Sequence, residues 1–175
     1  MSGSQWRTVP NLVTALRFAL VVPIAVLLLT GTHPLLAAGL AVVFGASDWV
    51  DGYLARRLGQ AGRVGAVLDA VADRVGVGCL AIALGAAGAV PWWAIAVFPA
   101  VDLAVGGVYL ARRRPLAVTA LGKVRTGAAM AGVFLVFAGL VPGLGGLLPV
   151  GQVVLGIGAV LHIGAGALYM RRLLR

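Results

Sequence analysis

The fold class that this sequence predicts is all-α, a polytopic membrane protein with six transmembrane helices and a short N-terminal interfacial arm, and three observations predict it. Of 175 residues, 61% are hydrophobic and 11% charged, with a mean hydropathy of +1.04, far from the balance of a water-soluble domain. Six apolar stretches lie at roughly residues 12–30, 35–55, 64–86, 91–110, 124–142 and 149–170, each near the ~20 residues that cross a hydrocarbon layer. Basic residues fall in alternate connections, as cytoplasmic loops require.

The elements follow in order. Residues 2–10, with Trp6 and Arg7, read as a retained interfacial arm, because Trp6 and Pro10 and the lack of a small-residue cleavage pattern do not make a signal peptide. Arg7 and Arg17 flank the first stretch, and Thr30-Gly31-Thr32-His33-Pro34 breaks it from the second. Arg56, Arg57 and Arg63 occupy the next connection, and Gly88-Ala89-Val90-Pro91 the one after. Arg112, Arg113, Arg114, Lys123 and Arg125 separate stretches four and five; Gly143, Gly145, Gly146 and Pro149 separate five and six; Arg171, Arg172 and Arg175 follow the last. The three remaining connections carry no Lys or Arg. Six spans with both termini in the cytoplasm follow, as one membrane domain over residues 1–175. The formal net charge of +9 then belongs to one face, which would attract anionic lipid and nucleotide phosphates. Dispersal of the basic groups among loops argues against nucleic-acid binding.

Glycine is abundant, with 26 residues spread through apolar stretches, and reads as a device for close helix approach. Gly122, Gly127, Ala131, Gly132, Gly156, Gly158 and Gly166 are the positions expected to allow it. Trp92 and Trp93 read as an outer interfacial belt, and Trp49 as a neighbour of the acids. The solitary Cys79 reads as a packed small hydrophobe, His33 as a solvent-facing loop residue and His162 as an interhelical hydrogen-bonding group.

The chain has five Asp and no Glu, and four of the five, Asp48, Asp51, Asp69 and Asp73, fall close together in apolar sequence. Carboxylates there need cations, water or a polar substrate. On a helix, Asp48 and Asp51 are about 60° apart and Asp69 and Asp73 about 40° apart, so each pair shares a face. Counted from the Arg56/Arg63 connection, the two pairs reach similar depths, about 7 and 12 Å, on antiparallel neighbours. Oxygen-only ligands favour a hard cation, Mg²⁺ or Mn²⁺, as one or two ions, over zinc. Gly52, Ala55 and Gly65 leave room beside the acids, and Arg56 offers a five-donor head to phosphate. A transporter or ion-binding protein with the acids as its translocation site is the competing class.

The segment Asp48-Trp49-Val50-Asp51-Gly52-Tyr53-Leu54-Ala55-Arg56, followed by Gly65, Asp69 and Asp73, resembles the signature of the CDP-alcohol phosphatidyltransferase family, D-x2-D-G-x2-A-R-x8-G-x3-D-x3-D, at every specified position. The resemblance implies a six-helix membrane enzyme, commonly a homodimer, that moves a phosphatidyl group from CDP-diacylglycerol to a small alcohol or phospholipid acceptor and releases CMP. It further implies that Asp48, Asp51, Asp69 and Asp73 surround the metal, that Gly52, Ala55, Arg56 and Gly65 accommodate the CDP moiety, and that Asp73, with Asp69 beside it, is the catalytic base.

Two more segments extend the resemblance to the phosphatidylglycerophosphate and cardiolipin synthases: Pro10-Asn11-Leu12-Val13-Thr14 with Arg17 and Pro23, and Leu121-Gly122-Lys123-Val124-Arg125-Thr126. Lys123 and Arg125 are accordingly expected at an acceptor phosphate, with glycerol 3-phosphate as first acceptor and phosphatidylglycerol as second. Many such enzymes carry Arg before an acid in the fourth helix, where this chain has Val101-Asp102. Asp102 stays open between pairing with an Arg, binding acceptor and supporting a dimer, and Arg74 between orienting Asp73 and plain packing.

Overall fold

Apolar runs of this length with breaks at Gly and Pro fold as helices, and a computed structural model gives six of them. It describes residues 9–57, 63–112 and 120–174, and within these the side chains other than those of residues 9–11, 13, 48, 49, 51, 52, 54–56, 63–74, 120 and 123. The helices are α1 (Val9–Thr30), α2 (Pro34–Arg57), α3 (Arg63–Ala86), α4 (Trp92–Arg112), α5 (Ala120–Gly139) and α6 (Leu147–Leu174). Each coincides with one of the six apolar stretches to within a few residues. The interfacial arm lies outside the described residues except where α1 begins at Val9.

Helix α1 ends where Gly31 takes φ +65°, a left-handed conformation that costs glycine nothing. Thr30 Oγ1 donates to the Val26 carbonyl at 2.8 Å, and the His33 carbonyl opens α2 by accepting from Ala37 N at 3.1 Å. His33 is exposed in this turn, as expected. Pro23 and Pro99 lie inside α1 and α4, where each removes one backbone N–H from the helical ladder.

Among the described residues, α4 and α6 are long and apolar enough to cross a membrane; shorter apolar segments run over Thr14–Thr30, Pro34–Ser47, Val75–Ala86 and Val124–Gly139. Large apolar side chains such as Leu12, Val22, Leu103 and Leu110 stand exposed, a surface suited to lipid rather than water. Trp92 and Trp93 are exposed at the start of α4, as an interfacial belt requires. Cys79 is a correction: it is exposed on α3 rather than packed, because its position falls off the buried row of that helix.

The chain divides into two compact units, Met1–Ala87 and Gly88–Arg175. In the first, α1 packs against both α2 and α3. Its buried residues form one row with three- and four-residue steps, Thr14, Arg17, Val21, Ile24 and Leu28; the matching rows are Ala37, Ala41 and Phe44 on α2 and Gly76, Leu80 and Ala83 on α3. The three rows meet at Gly76. A Cβ there would lie 3.0 Å from Phe44 Cζ and 3.3 Å from Val21 Cγ2, so the missing side chain of Gly76 is what admits the Phe44 ring.

In the second unit, α5 and α6 are joined along a seam of small residues. Gly132 faces Leu155, Gly139 faces Leu148, Gly151 faces Val136 and Gly158 faces Ala129. Each step of three or four along α5 is matched by the same step back along α6, so the helices are antiparallel in a heptad-like register. Helix α4 is parallel to α6: Trp93 pairs with Gly156, Phe98 with His162 and Val101 with Gly166, rising together, and Gln152 donates to the carbonyl of Ala89 just before α4. Of the small residues expected to pack closely, Gly132, Gly158 and Gly166 do, Gly156 meets only the rim of Trp93 at 3.7 Å, and Gly127 faces open space.

Candidate functional site

Helix α2 is unbroken through Asp48, Asp51, Gly52, Ala55 and Arg56, and the first three turns of α3 carry Gly65, Asp69 and Asp73. Their side chains lie outside the described ones, so the expected convergence of the four acids, the CDP contacts and the metal contacts lie outside them too. Among the described residues, no group of three or more His, Cys, Asp or Glu could hold a metal ion.

The helix registers do constrain the acids. Positions 48, 51 and 55 continue the row Ala37–Ala41–Phe44 in the same three- and four-residue steps, and positions 73 and 69 continue the α3 row backwards from Gly76. One turn from the Val21–Phe44–Gly76 meeting point, the three rows reach Arg17, Asp48 and Asp73; the next turn reaches Thr14, Asp51 and Asp69. Arg17 is 1% exposed and Thr14 5%, and both have interaction partners. Arg17, which in sequence flanks the first apolar stretch and belongs to the Pro10–Pro23 pattern, is thus also a packed residue. Its signal was the spacing Thr14–Arg17–Val21–Ile24–Leu28, which puts an Arg on the packed stripe of α1.

At the end of α2, Arg57 Nη1 donates to Tyr53 Oη at 2.9 Å, and its guanidinium stands 5.8 Å from the centre of the Tyr53 ring.

A second polar cluster occupies the other unit. Arg125 and His162 face each other one heptad step beyond the Ala129/Gly158 pair, and Arg125 Nη1 contacts His162 Nδ1. Arginine can only donate, so Nδ1 is the acceptor and the ring proton resides on Nε2. That nitrogen donates to the Phe98 carbonyl at 3.2 Å, with Asp102 Oδ1 at 3.5 Å. The Phe98 ring lies 4.9 Å from the imidazole. His162 thus makes the expected interhelical hydrogen bond, and Asp102 approaches a histidine rather than an arginine. Arg125 Nε is buried without a hydrogen-bond partner among the described residues, a donor available to an anion. Lys123 is one turn from the start of α5, with its side chain outside the described ones.

The family model for CDP-alcohol phosphatidyltransferase matches residues 7–164, a span that contains all four acids, Arg17 and both α5 cations. A protein of Mycobacterium tuberculosis provisionally named a cardiolipin synthase is 33% identical over 129 residues, which are 71% of this chain and 62% of that protein. The chain therefore spans about three fifths of the length of that relative. A CDP-diacylglycerol-glycerol-3-phosphate 3-phosphatidyltransferase of Pectobacterium atrosepticum is 37% identical over 139 residues, 72% of this chain and 74% of that protein. A phosphatidylinositol phosphate synthase of Corynebacterium glutamicum is 37% identical over 89 residues, 51% of this chain and 38% of that protein. With the eight-position signature complete on two unbroken helices and the family match covering most of the sequence, the chain belongs to the CDP-alcohol phosphatidyltransferase family.

Proposed function

We propose that this protein transfers a phosphatidyl group from CDP-diacylglycerol to a glycerol hydroxyl and releases CMP. The observation that carries the reading is the complete signature, Asp48 to Asp73, on α2 and α3 inside a family match over residues 7–164. In the reaction, the acceptor oxygen bonds to the phosphorus that bears diacylglycerol, the bond from that phosphorus to the bridging oxygen breaks, and CMP leaves with the electron pair. Asp73 takes the hydroxyl proton as general base, with Asp69 one turn away on the same row. Arg56 offers its planar fork to the departing phosphate, and Gly52, Ala55 and Gly65 leave space for the nucleotide.

An all-carboxylate donor set at matching register positions of α2 and α3 fits one or two Mg²⁺ or Mn²⁺ ions, which Asp48, Asp51, Asp69 and Asp73 would hold. When bound, such ions supply neutralisation of charge on the pyrophosphate oxygens.

The acceptor is read from the relatives. The mycobacterial protein's name moves phosphatidylglycerol ahead of glycerol 3-phosphate, which the Pectobacterium relative's name supports; both offer a glycerol hydroxyl beside a phosphate. Lys123 and Arg125 are the cations assigned to that phosphate, and the buried, unpartnered Arg125 Nε supports the assignment. Purified protein with CDP-diacylglycerol, Mg²⁺ and a panel of phosphatidylglycerol, glycerol 3-phosphate, inositol phosphate, inositol and serine is expected to yield cardiolipin and stoichiometric CMP, scored by mass spectrometry. Exclusive use of an inositol compound or serine would overturn the acceptor assignment. Ion flux in proteoliposomes without CMP would favour the transporter class instead.

The six-span layout with cytoplasmic ends and a cytoplasmic site belongs to the same reading, as does a homodimer, which rests on the family resemblance. Single cysteines introduced at Thr32 or Gly88 into a Cys79→Ser background are expected to react with an impermeant reagent added outside intact cells. Those at Gly59 or Pro115 should react only after the cells are opened, and the reverse pattern removes the topology.

A further inference from the structure

We infer that Arg17 is a resident counter-charge for the acid cluster, a positioning residue on α1 that holds the carboxylates of α2 and α3 together before any divalent cation arrives. The first support is burial: Arg17 is 1% exposed and among the largest fully buried side chains. A guanidinium does not give up its proton at any ordinary pH, so it is buried as a cation and must be paired. The second is the charge inventory. Within Met1–Ala87 the sequence holds only four carboxylates, Asp48, Asp51, Asp69 and Asp73, and Arg17 is engaged with a partner. The third is register. Val21, Phe44 and Gly76 meet within 3.0 to 3.3 Å of one point, the place of a Gly76 Cβ; one turn along each row from there stand Arg17, Asp48 and Asp73.

Four carboxylates on two adjoining helices repel strongly where water is scarce, and without a cation the ends of α2 and α3 would separate or take up protons. A fixed guanidinium with five donors can bridge two carboxylates, which sets their spacing. The inference rests on the proposed function only in taking the acids as the reaction site.

The test is thermal unfolding of the full-length protein in detergent, in EDTA and in saturating Mn²⁺, with no substrate. Arg17→Gln is expected to lower the midpoint by about 10 °C in EDTA, and Mn²⁺ should restore more than half of that difference, since a divalent ion can replace the lost charge. Arg17→Lys keeps the charge and should respond to Mn²⁺ as the wild type does. Losses from Arg17→Gln and Asp48→Asn in EDTA should be clearly less than additive. An equal loss with and without Mn²⁺, together with additive losses in the double variant, would make Arg17 a packing residue and overturn the inference. Should Arg17→Gln fold only when purified in Mn²⁺, the inference is supported; should it fail in both conditions, Arg17→Lys decides, a Mn²⁺ response several-fold weaker or stronger than wild type counting against it. CMP release is scored separately. Loss of the transfer activity assignment would leave the unfolding result standing, and additive unfolding losses would leave the transfer reading untouched.

Discussion

Asp73→Asn is expected to reduce CMP release at least ~10²-fold in a protein that still folds. The substitution keeps the shape of the side chain and removes the oxygen able to take a proton. Asp73 lies on the α3 row that passes through Gly76, one turn from the point where α1, α2 and α3 meet. Asp69→Asn should fall by a similar factor, because in the proposed reaction it removes one of the four carboxylates assigned to the metal. Turnover is measured as CMP released per minute, with unfolding midpoints recorded for each variant. Near-normal turnover in both folded variants would take these two residues out of the chemistry.

Gly132→Ala is expected to be strongly damaging to the α5–α6 seam of the second unit. A Cβ at Gly132 would lie 2.6 Å from Leu155 N and 2.7 Å from its Cα, and these are backbone atoms that cannot rotate away. Alanine favours a helix over glycine by about 1 kcal/mol, whereas forcing two helices apart costs about 1–3 kcal/mol or more, so the clash wins. Gly127→Ala is the internal control on the same helix: nothing lies within 4 Å of a Cβ there, and the substitution should be neutral or slightly stabilising. Unfolding midpoints in detergent compare the two. Equal midpoints would mean that the α5–α6 seam does not form as described.

Helix number and placement were legible because each apolar run ends in residues that stop a helix for local reasons, such as the Thr30–Pro34 turn and the Gly143–Gly146 segment. The acid signature was legible because residue type and spacing alone define it. Rotation about each helix axis was not. With small residues on every side of α5 and α6, the sequence selected Gly132, Gly158 and Gly166 correctly, included the open Gly127, and passed over Gly139 and Gly151, whose neighbours Leu148 and Val136 belong to the facing helix. The burial of Arg17 was not legible for a related reason: loop charges and buried charges look alike until the packed row of α1 is known. Arg125 and His162 are separated by 36 intervening positions, and only the antiparallel register brings them together.

The directions of the three helices in the second unit have an electrical consequence. With α4 and α6 parallel and α5 reversed between them in sequence, two carboxyl ends and one amino end fall on the same side. A carboxyl end carries about half a negative charge and an amino end about half a positive one. Arg112 stands in the last turn of α4 and Arg171 and Arg172 in the last turn of α6, where they offset the macrodipoles of those helices. The arginines expected to orient the chain in the bilayer therefore also cancel the fields that would repel an anion. The uncancelled amino end of α5, with Lys123 and Arg125 in its first two turns, is left to set the local potential, and negatively charged solutes arriving at that side meet an attractive field.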